Sequence, residues 1–221
     1  SEILDCGLLG EAVLPVLKHA REHLLAEGGV VIPARARVKG VLVELLPEGF
    51  GTAVMTCPPT RVGPIEGRSI KAGSAFNKFI RTNTWEQIRL RDLAHVALSE
   101  PFDMLTCDLS GLAGSGAGGD EAGDAGDRED ETSGVVDIPI VRDGKASAVV
   151  MWFDLDVDQE GEIVISTGPE NHGSCWSQSV QLLTDPEWPE DLDTAKEVQS
   201  GSVVRMRTSQ DDSRIRVELL E

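Results

Sequence analysis

The sequence contains no tyrosine, only four tryptophans and five phenylalanines, and far fewer basic residues (20) than acidic ones (38). The resulting net charge of −18 would repel both nucleic acid and anionic lipid. We therefore expect no nucleic-acid partner and no membrane partner. An acidic surface of this kind suits cationic partners, and it also keeps a protein in solution.

Long apolar runs and paired cysteines are missing as well. The longest apolar stretches, such as VVMWF at 149–153, are too short to cross a bilayer. The four cysteines form no C-x-x-C pair, which argues against a structural zinc site. No secretory leader is visible, so we expect reduced thiols and a cytoplasmic or nuclear location. Because the chain starts at Ser1 rather than at Met, we expect it to be a fragment of a longer protein.

The chain does contain one amphipathic segment followed by many short alternating runs. Residues 11–29 predict a helix that ends at Gly28 and Gly29. Strands are predicted within 30–46, 84–93, 102–110, 145–157, 162–167 and 176–183, and VVRMRTS and RIRVELL predict a closing hairpin. This order predicts a mainly β fold, a β-barrel or sandwich with a helix at its entrance.

Residues 113–134, AGSGAGGDEAGDAGDREDETSG, have a different composition from the rest of the chain. They contain almost no large apolar side chain, so burial cannot offset the entropy of ordering them. We expect a disordered acidic insertion at 113–134. The Gly- and Pro-rich residues between 47 and 84 predict loops with short strands.

Three short motifs suggest ligand sites but lack the context that each site needs. GSGAGG (114–119) leads into an acidic run that would repel the phosphates of a dinucleotide. HAREH (19–23) matches an inverted zinc-protease pattern but has no identifiable third ligand, so a solvated helix face is expected. DLDVDQEG (154–161) has Gln159 where a calcium loop needs glycine, and we expect its aspartates on the outer face of a strand.

The opening stretch SEILDCGLLGE places Glu2 and Glu11 nine positions apart around Gly7 and Gly10. The glycines allow the chain to fold back, and two leucines between them could anchor the bend in the core. Paired carboxylates in a cleft serve either in acid–base catalysis, as in hydrolases, or in clamping the planar cation of an arginine. A carboxylate at the start of a helix is favoured in its charged form, which makes the hydrolase alternative weaker.

Three stretches together resemble the protein arginine methyltransferase family. SEILDCGLLGE is similar to the double-Glu hairpin of that family, and GGVVIPARARVKGVLVE is similar to its passage into the barrel. GSCWSQSVQLL (173–183) is similar to its Thr-His-Trp loop, with Trp176 and Gln178 at matching positions. The order of these segments is most like the first module of the type III, tandem-module branch.

The resemblance implies methyl transfer from S-adenosylmethionine to an arginine of an Arg-rich protein substrate. It makes Glu2 and Glu11 the catalytic carboxylates that grip the guanidinium, and Asp5, Cys175 and Trp176 substrate-binding residues. Cys175 stands where most relatives carry His, and His172 is the nearest substitute. Product type is therefore open, and monomethylation is the hypothesis that the branch resemblance supports.

The resemblance also implies a division of the molecule. We expect a double-Glu loop and connecting helix at 1–29 and a substrate-binding β-barrel at 30–221. The S-adenosylmethionine site is expected mostly in an upstream, N-terminal half, so this chain alone should bind the cofactor weakly or not at all. Pairing through a dimer or a tandem module is implied, with the pairing arm within 47–84. The alternative is an interaction module of the same fold without catalysis.

Overall fold

The computed structural model describes residues 3–46, 86–111, 132–183 and 194–220. Its elements, in chain order, are one α-helix, one short 3-10 helix and twelve strands within these ranges. The structure therefore confirms a mainly β fold with one helix, and its largest sheet curls into a half-barrel. Within the described ranges, the α-helix is too short to span a bilayer.

Helix α1 runs from Val13 to His23, shorter than the predicted span of 11–29. Leu24 leaves helical geometry, and Gly28, with a φ of 74°, forms a separate turn. Val13 is buried, whereas Leu24 is 75% exposed. Apolar residues continue in the sequence beyond His23, but the core covers only the first part of the segment. The predicted helix was therefore too long.

The central sheet has seven antiparallel strands, with β1 (Arg35–Leu45) and β7 (Ala148–Asp156) at its centre. The strands β3 (His95–Ala97) and β4 (Phe102–Asp108) pair with the free edge of β1. The free edge of β7 pairs with β8 (Val164–Ser166) and β9 (Gln178–Leu182), and β9 pairs with β2 (Glu86–Ile88). The alternation in β1 predicted this strand correctly.

Two smaller sheets complete the architecture. The strands β5 (Thr132–Pro139), β11 (Val203–Gln210) and β12 (Ile215–Leu219) form an antiparallel sheet in the order β12-β11-β5. The pair β11–β12 is the closing hairpin that the sequence predicted. The strands β6 (Gly144–Ala146) and β10 (Lys196–Val198) form the third sheet.

Several segments depart from the expected elements. The predicted strand at 145–157 is divided at the buried Ser147, whose hydroxyl accepts the Leu45 N–H at 2.7 Å. The predicted strand at 84–93 becomes β2 and a 3-10 helix, Leu90–Asp92. The last three residues of the predicted insertion, 132–134, belong to β5, and the rest of it lies outside the described residues. The predicted pairing arm within 47–84 also lies outside them.

Strand β7 is buried on both faces, which corrects the expected outer face for its aspartates. All nine of its residues are buried, including Asp154 and Asp156. One face contributes Met151 and Phe153 to a large cluster that joins all three sheets, and the other contributes Val150 to a smaller cluster. The large cluster also includes Leu4, Leu8, Leu9 and Val13, so the N-terminal segment is part of the barrel core.

Candidate functional site

The N-terminal loop, residues 3–12, is a compact bend anchored by its leucines. Leu8 and Leu9 are almost completely buried, as the sequence predicted. Backbone hydrogen bonds join Leu8 N to Asp5 O and Ala12 N to Leu9 O, each at 3.0 Å. The loop is therefore a folded part of the core that can hold a side chain in a fixed direction.

Backbone strain in this bend falls on residues other than its glycines. Leu8 and Ala12 have φ values of 70° and 58°, in the left-handed region that side chains disfavour. Burial of the two leucines contributes about 4 kcal/mol, which offsets a strain of about 1–2 kcal/mol at each of Leu8 and Ala12. Gly10 has another role, because a Cβ at that position would overlap the Asp5 carboxylate.

Asp5 supports the loop from within. Its Oδ1 accepts the Gly10 N–H at 3.1 Å, so the carboxylate closes the turn that leads to Glu11. This contact gives Asp5 a structural role that its sequence position alone did not reveal. Contact of Asp5 with a substrate stays a prediction.

Glu11 is exposed at the end of the bend, two residues before the start of α1. The described part of the chain offers its carboxylate no hydrogen bond or ion pair, so it is available to a ligand. The positive end of the helix dipole stabilises a negative charge near this position. Glu2 lies outside the described residues, so the approach of the two carboxylates stays a prediction.

The Trp176 loop, residues 173–177, contacts the N-terminal loop directly. The indole Nε1–H of Trp176 donates to the Leu4 carbonyl oxygen at 2.7 Å. The same ring packs edge-on against Phe153 of β7, with a centroid distance of 5.9 Å. Two of the three stretches that carry the family resemblance are thus joined by a hydrogen bond, although 172 positions separate the bonded residues in sequence. Sequence reasoning missed Leu4, because its part is played by a main-chain oxygen.

Gln178 fixes the base of the Trp176 loop. Its buried side chain accepts the Leu90 N–H through Oε1 and donates to the Thr167 carbonyl through Nε2, each bond being 2.9 Å. The loop is therefore tied at one end to the 3-10 helix and to the end of β8. A rigid base lets Trp176 hold the N-terminal loop in place.

Cys175 is exposed in the Trp176 loop, and His172 points elsewhere. His172 Nδ1 lies 2.7 Å from Arg91 NH1, so its described contact is with the 3-10 helix rather than with the N-terminal loop. The substrate contact predicted for Cys175 is untested. A second cysteine, Cys107, is a buried residue of β4, and desolvation raises the pKa of its thiol to about 12, which makes it unreactive.

The sequence motifs that suggested metals form no site in the part of the chain that the structure describes. The rings of His19 and His23 lie 4.6 Å apart, centroid to centroid, on the surface of α1. Asp156 is engaged by Arg35 and Arg37. Among the described residues, no group of three or more His, Cys, Asp or Glu side chains is placed to hold a metal ion.

Comparison with known proteins identifies the family. The family model for the arginine methyltransferase oligomerization subdomain matches residues 80–219, more than half of the chain. The chain belongs to the arginine methyltransferase family. This confirms the family that the double-Glu and Trp176 stretches indicated.

Curated arginine methyltransferases match nearly the whole chain. The arginine N(omega)-methyltransferase of Streptomyces achromogenes subsp. streptozoticus is 30% identical over 220 residues, which are 99% of this chain and 50% of that protein. Human protein arginine N-methyltransferase 9 is 25% identical, over 99% of this chain and 25% of its own length. The zebrafish (Danio rerio) protein arginine N-methyltransferase 7 is also 25% identical, over 96% of this chain and 29% of its own length. The chain thus spans half or less of the length of these relatives.

A solved structure supports the fold. The Trypanosoma brucei PRMT1 enzyme–prozyme heterotetrameric complex with AdoHcy contains a chain similar to this one, with a TM-score of 0.57 at 13% identity. The match covers 99% of this chain and 63% of that chain. At this identity the likeness shows the barrel fold of the arginine methyltransferases and nothing finer.

Proposed function

We propose that this chain is the substrate-binding barrel portion of an S-adenosylmethionine-dependent protein arginine methyltransferase. The observation that carries the proposal is the hydrogen bond from Trp176 to Leu4, which fixes the loop that bears Glu11 against the barrel core. Family membership supplies the reaction class. The carboxylate of Glu11 is exposed and has no partner among the described residues, so it supplies a group that can receive a guanidinium.

The chemistry of arginine explains the need for two carboxylates. A guanidinium stays protonated at neutral pH and offers five N–H donors in a planar fork, so its nitrogens are weak nucleophiles. Glu2 and Glu11 would each accept N–H bonds and draw the positive charge toward the bound nitrogens. The remaining nitrogen then keeps more electron density and is held in one direction. Glu11 is the residue that we assign to accept the proton lost from that nitrogen.

The cofactor site is proposed to lie outside this chain. S-adenosylmethionine, when bound by the complete enzyme, supplies the methyl group. The described strands pair only in antiparallel fashion, whereas the glycine-rich turn that holds an adenosine cofactor belongs to a parallel strand–helix unit. The described residues therefore do not fit the cofactor, and we assign them the binding and orientation of the arginine.

The charge of the chain fits a basic protein substrate. A net charge of −18 attracts an Arg-rich segment and speeds its encounter with the enzyme, most strongly at low ionic strength. The resemblance to the tandem-module branch supports monomethylarginine as the product. Pairing of barrels is a further part of the proposal, supported by the description of the matching subdomain and by the heterotetrameric neighbour.

The decisive experiment replaces Glu11 in the complete enzyme. Glu11→Gln keeps the size of the side chain but removes its charge, so we expect kcat on an Arg-Gly-rich peptide to fall by about 10²–10³-fold. Glu22→Gln, an exposed carboxylate on α1, is the matched control and should leave kcat unchanged. Mass spectrometry of the products reports monomethylarginine or dimethylarginine in the same reactions. Undiminished methylation by Glu11→Gln would remove Glu11 from the mechanism.

The second candidate function is an interaction module without catalysis. Two observations support it. The matching family model is described as an oligomerization subdomain, and the similar Trypanosoma brucei structure is a complex of an enzyme with a non-identical chain, the prozyme. If the complete wild-type protein shows no methyl transfer but raises the activity of a paired arginine methyltransferase, this second function replaces the first. Wild-type activity that Glu11→Gln abolishes rules it out.

A further inference from the structure

A small pocket beside the Trp176 loop has a charge opposite to that of the chain as a whole. Its polar lining comes from the 3-10 helix region and from the turn after β8, and includes Arg89, Arg91, Asn171, His172, Ser174 and Trp176. No carboxylate is among its described lining residues, and the nearest partner of Arg91 outside it is Asp92, at 3.8 Å. In a chain with net charge −18, this is a local reversal of sign.

Each side-chain acceptor in the described lining of the pocket already receives a hydrogen bond. Asn171 accepts the Gly173 N–H through Oδ1 and donates to the Ser166 carbonyl through Nδ2. Gln178 uses both ends of its amide, as described above. The Ser174 hydroxyl oxygen accepts the Trp176 N–H at 3.1 Å, which leaves its O–H free to donate.

The groups that remain are donors. Arg89 is exposed and has no hydrogen bond or ion pair within the described ranges. Arg91 donates one N–H to His172 Nδ1, and since a guanidinium cannot accept, the imidazole must accept there and carry its proton on Nε2. Two guanidinium groups, one imidazole N–H and one hydroxyl thus line the pocket, and each side-chain oxygen of its described lining already takes part in a hydrogen bond. Such a donor set fits an oxyanion, and best a planar carboxylate.

The position of the pocket indicates where the carboxylate comes from. Trp176 lines it, and the same indole ring donates to Leu4 of the N-terminal loop. The pocket is therefore one side chain away from the loop that presents Glu11. We propose that this pocket binds an Asp or Glu side chain of the protein substrate, close in sequence to the arginine that Glu11 receives. The proposal rests on the proposed function and adds a subsite that reads an acidic residue in an otherwise basic segment.

Peptide kinetics with the complete enzyme test the proposal. Each peptide of an Arg-Gly series carries one Glu, at a different position before or after the target arginine. A second series has Gln in place of Glu at the same positions. At one position we expect the Glu peptide to have a KM about threefold lower than that of the Gln peptide at low salt, as a partly exposed ion pair provides. The values of kcat should be equal. Arg89→Gln should abolish the difference.

The control is Arg142→Gln, which removes the same charge from an exposed arginine that also lacks a partner in the described part of the chain. It should preserve the threefold preference. An equal KM for Glu and Gln peptides at every position in the wild type would overturn the proposal. So would a preference that Arg89→Gln leaves intact.

A binding measurement separates this proposal from the proposed function. In NMR spectra of the complete protein, acetate should shift the Nε–Hε signal of Arg89 and the ring signals of His172, whereas chloride at equal ionic strength should not. Unshifted signals would overturn the pocket even if methylation proceeds. Shifts with acetate and with inorganic phosphate, but no peptide preference, would show a site for free anions and overturn the substrate assignment. If acetate shifts these signals in a protein that shows no methyl transfer, the pocket binds anions but the proposed function is wrong.

Discussion

Asp154 and Asp156 show how two similar residues on one strand acquire different environments. The Asp156 carboxylate accepts hydrogen bonds from Arg35 Nε and from Arg37 Nε and NH2, at 2.8–3.1 Å, and its side chain is only 4% exposed. Asp154, two positions earlier, has a buried Oδ1 that receives no hydrogen bond from the residues that the structure describes. Both partners of Asp156 come from β1, where the register places Arg35 opposite Asp156 and Arg37 opposite Asp154. The Arg37 side chain reaches diagonally to Asp156, so side-chain direction as well as register decides which of the two aspartates is neutralised.

The Asp156→Asn substitution measures the contribution of this cluster. Asparagine removes the charge that two arginines share in a buried position, so we expect the free energy of unfolding to fall by about 2 kcal/mol. Urea denaturation at pH 7 gives the value. The control is Asp103→Asn, which breaks an ion pair with Lys39 at 2.6 Å in which the Asp103 side chain is 78% exposed. That change should be below about 0.5 kcal/mol, and equal losses for both variants would contradict the distinction.

At the scale of elements, one loop is fixed by contacts distant in sequence, whereas another is fixed by its own residues. The N-terminal loop is held by the burial of its leucines and by Trp176. The β11–β12 turn is held locally, because Asp211 Oδ1 accepts the Ser213 N–H, the Ser213 O–H and the Arg214 N–H at 2.8–2.9 Å. The first loop was only partly predictable from sequence, whereas the second follows from residues within four positions.

Trp176→Phe tests the connection between the loops. Phenylalanine retains the edge-on packing against Phe153 but cannot donate to the Leu4 carbonyl. We expect a loss of about 1 kcal/mol in stability and, in the complete enzyme, a fall in kcat of about tenfold or more because Glu11 is less well oriented. The control is Trp152→Phe, because the indole N–H of Trp152 makes no hydrogen bond within the described ranges. A kcat for Trp176→Phe equal to that of the control would show that the bond does not position the loop.

The Asp211 turn predicts a pH dependence of stability. Partial burial tends to raise the pKa of Asp211, but hydrogen bonds from Ser213 and Arg214 and the charge of Arg216 outweigh it, so the pKa lies below its usual value. A lowered pKa in the folded state adds stability above the pKa of an unfolded aspartate, about 3.9, and this stability is lost as the pH falls through the folded value. Asp211→Asn should therefore lower the unfolding free energy by about 1 kcal/mol at pH 7 and by less at pH 3.

The neighbouring Asp212 provides the control for that experiment. It is exposed and has no hydrogen-bond partner in the described part of the chain, so Asp212→Asn should change stability little at either pH. Parallel urea denaturation series at the two pH values give all the required differences. An Asp211→Asn effect that is as large at pH 3 as at pH 7 would assign the stabilisation to side-chain shape rather than to charge.

At the scale of the whole molecule, one core joins three antiparallel sheets and the N-terminal segment. The shared cluster places β7 in the centre, and the candidate site lies where the N-terminal loop meets this barrel. The N-terminal loop, which we propose binds the arginine, is therefore anchored in the core of the barrel. We propose that the methyl donor binds to a part of the complete protein that this chain does not include.

Titration calorimetry with AdoHcy checks this division. We expect the 221-residue chain to show no heat of binding at micromolar concentrations, because its described strands form no parallel strand–helix unit. The complete protein should bind under the same conditions. Micromolar binding by the chain alone would place cofactor contacts within it and would contradict the proposed division of labour.

The sequence by itself determined the elements with a clear period. Alternation defined β1 and the β11–β12 hairpin, because one face of each strand is more buried than the other. It also indicated the family and the burial of Leu8 and Leu9. The short strands β3 and β10 escaped prediction because three residues are too few to show a period.

Only the tertiary structure decided which side chains meet. It buried both faces of β7, ended α1 at His23, turned Asp5 back onto Gly10 and directed Trp176 to the Leu4 carbonyl. Every residue has the same main-chain oxygen, so the sequence does not reveal which one accepts a hydrogen bond. Cross-strand partners lie up to about half the chain apart, so local sequence does not reveal them either. Local sequence therefore fixes which faces are apolar, whereas the pairing register and the packing of loops on the core decide where each polar atom finds its partner.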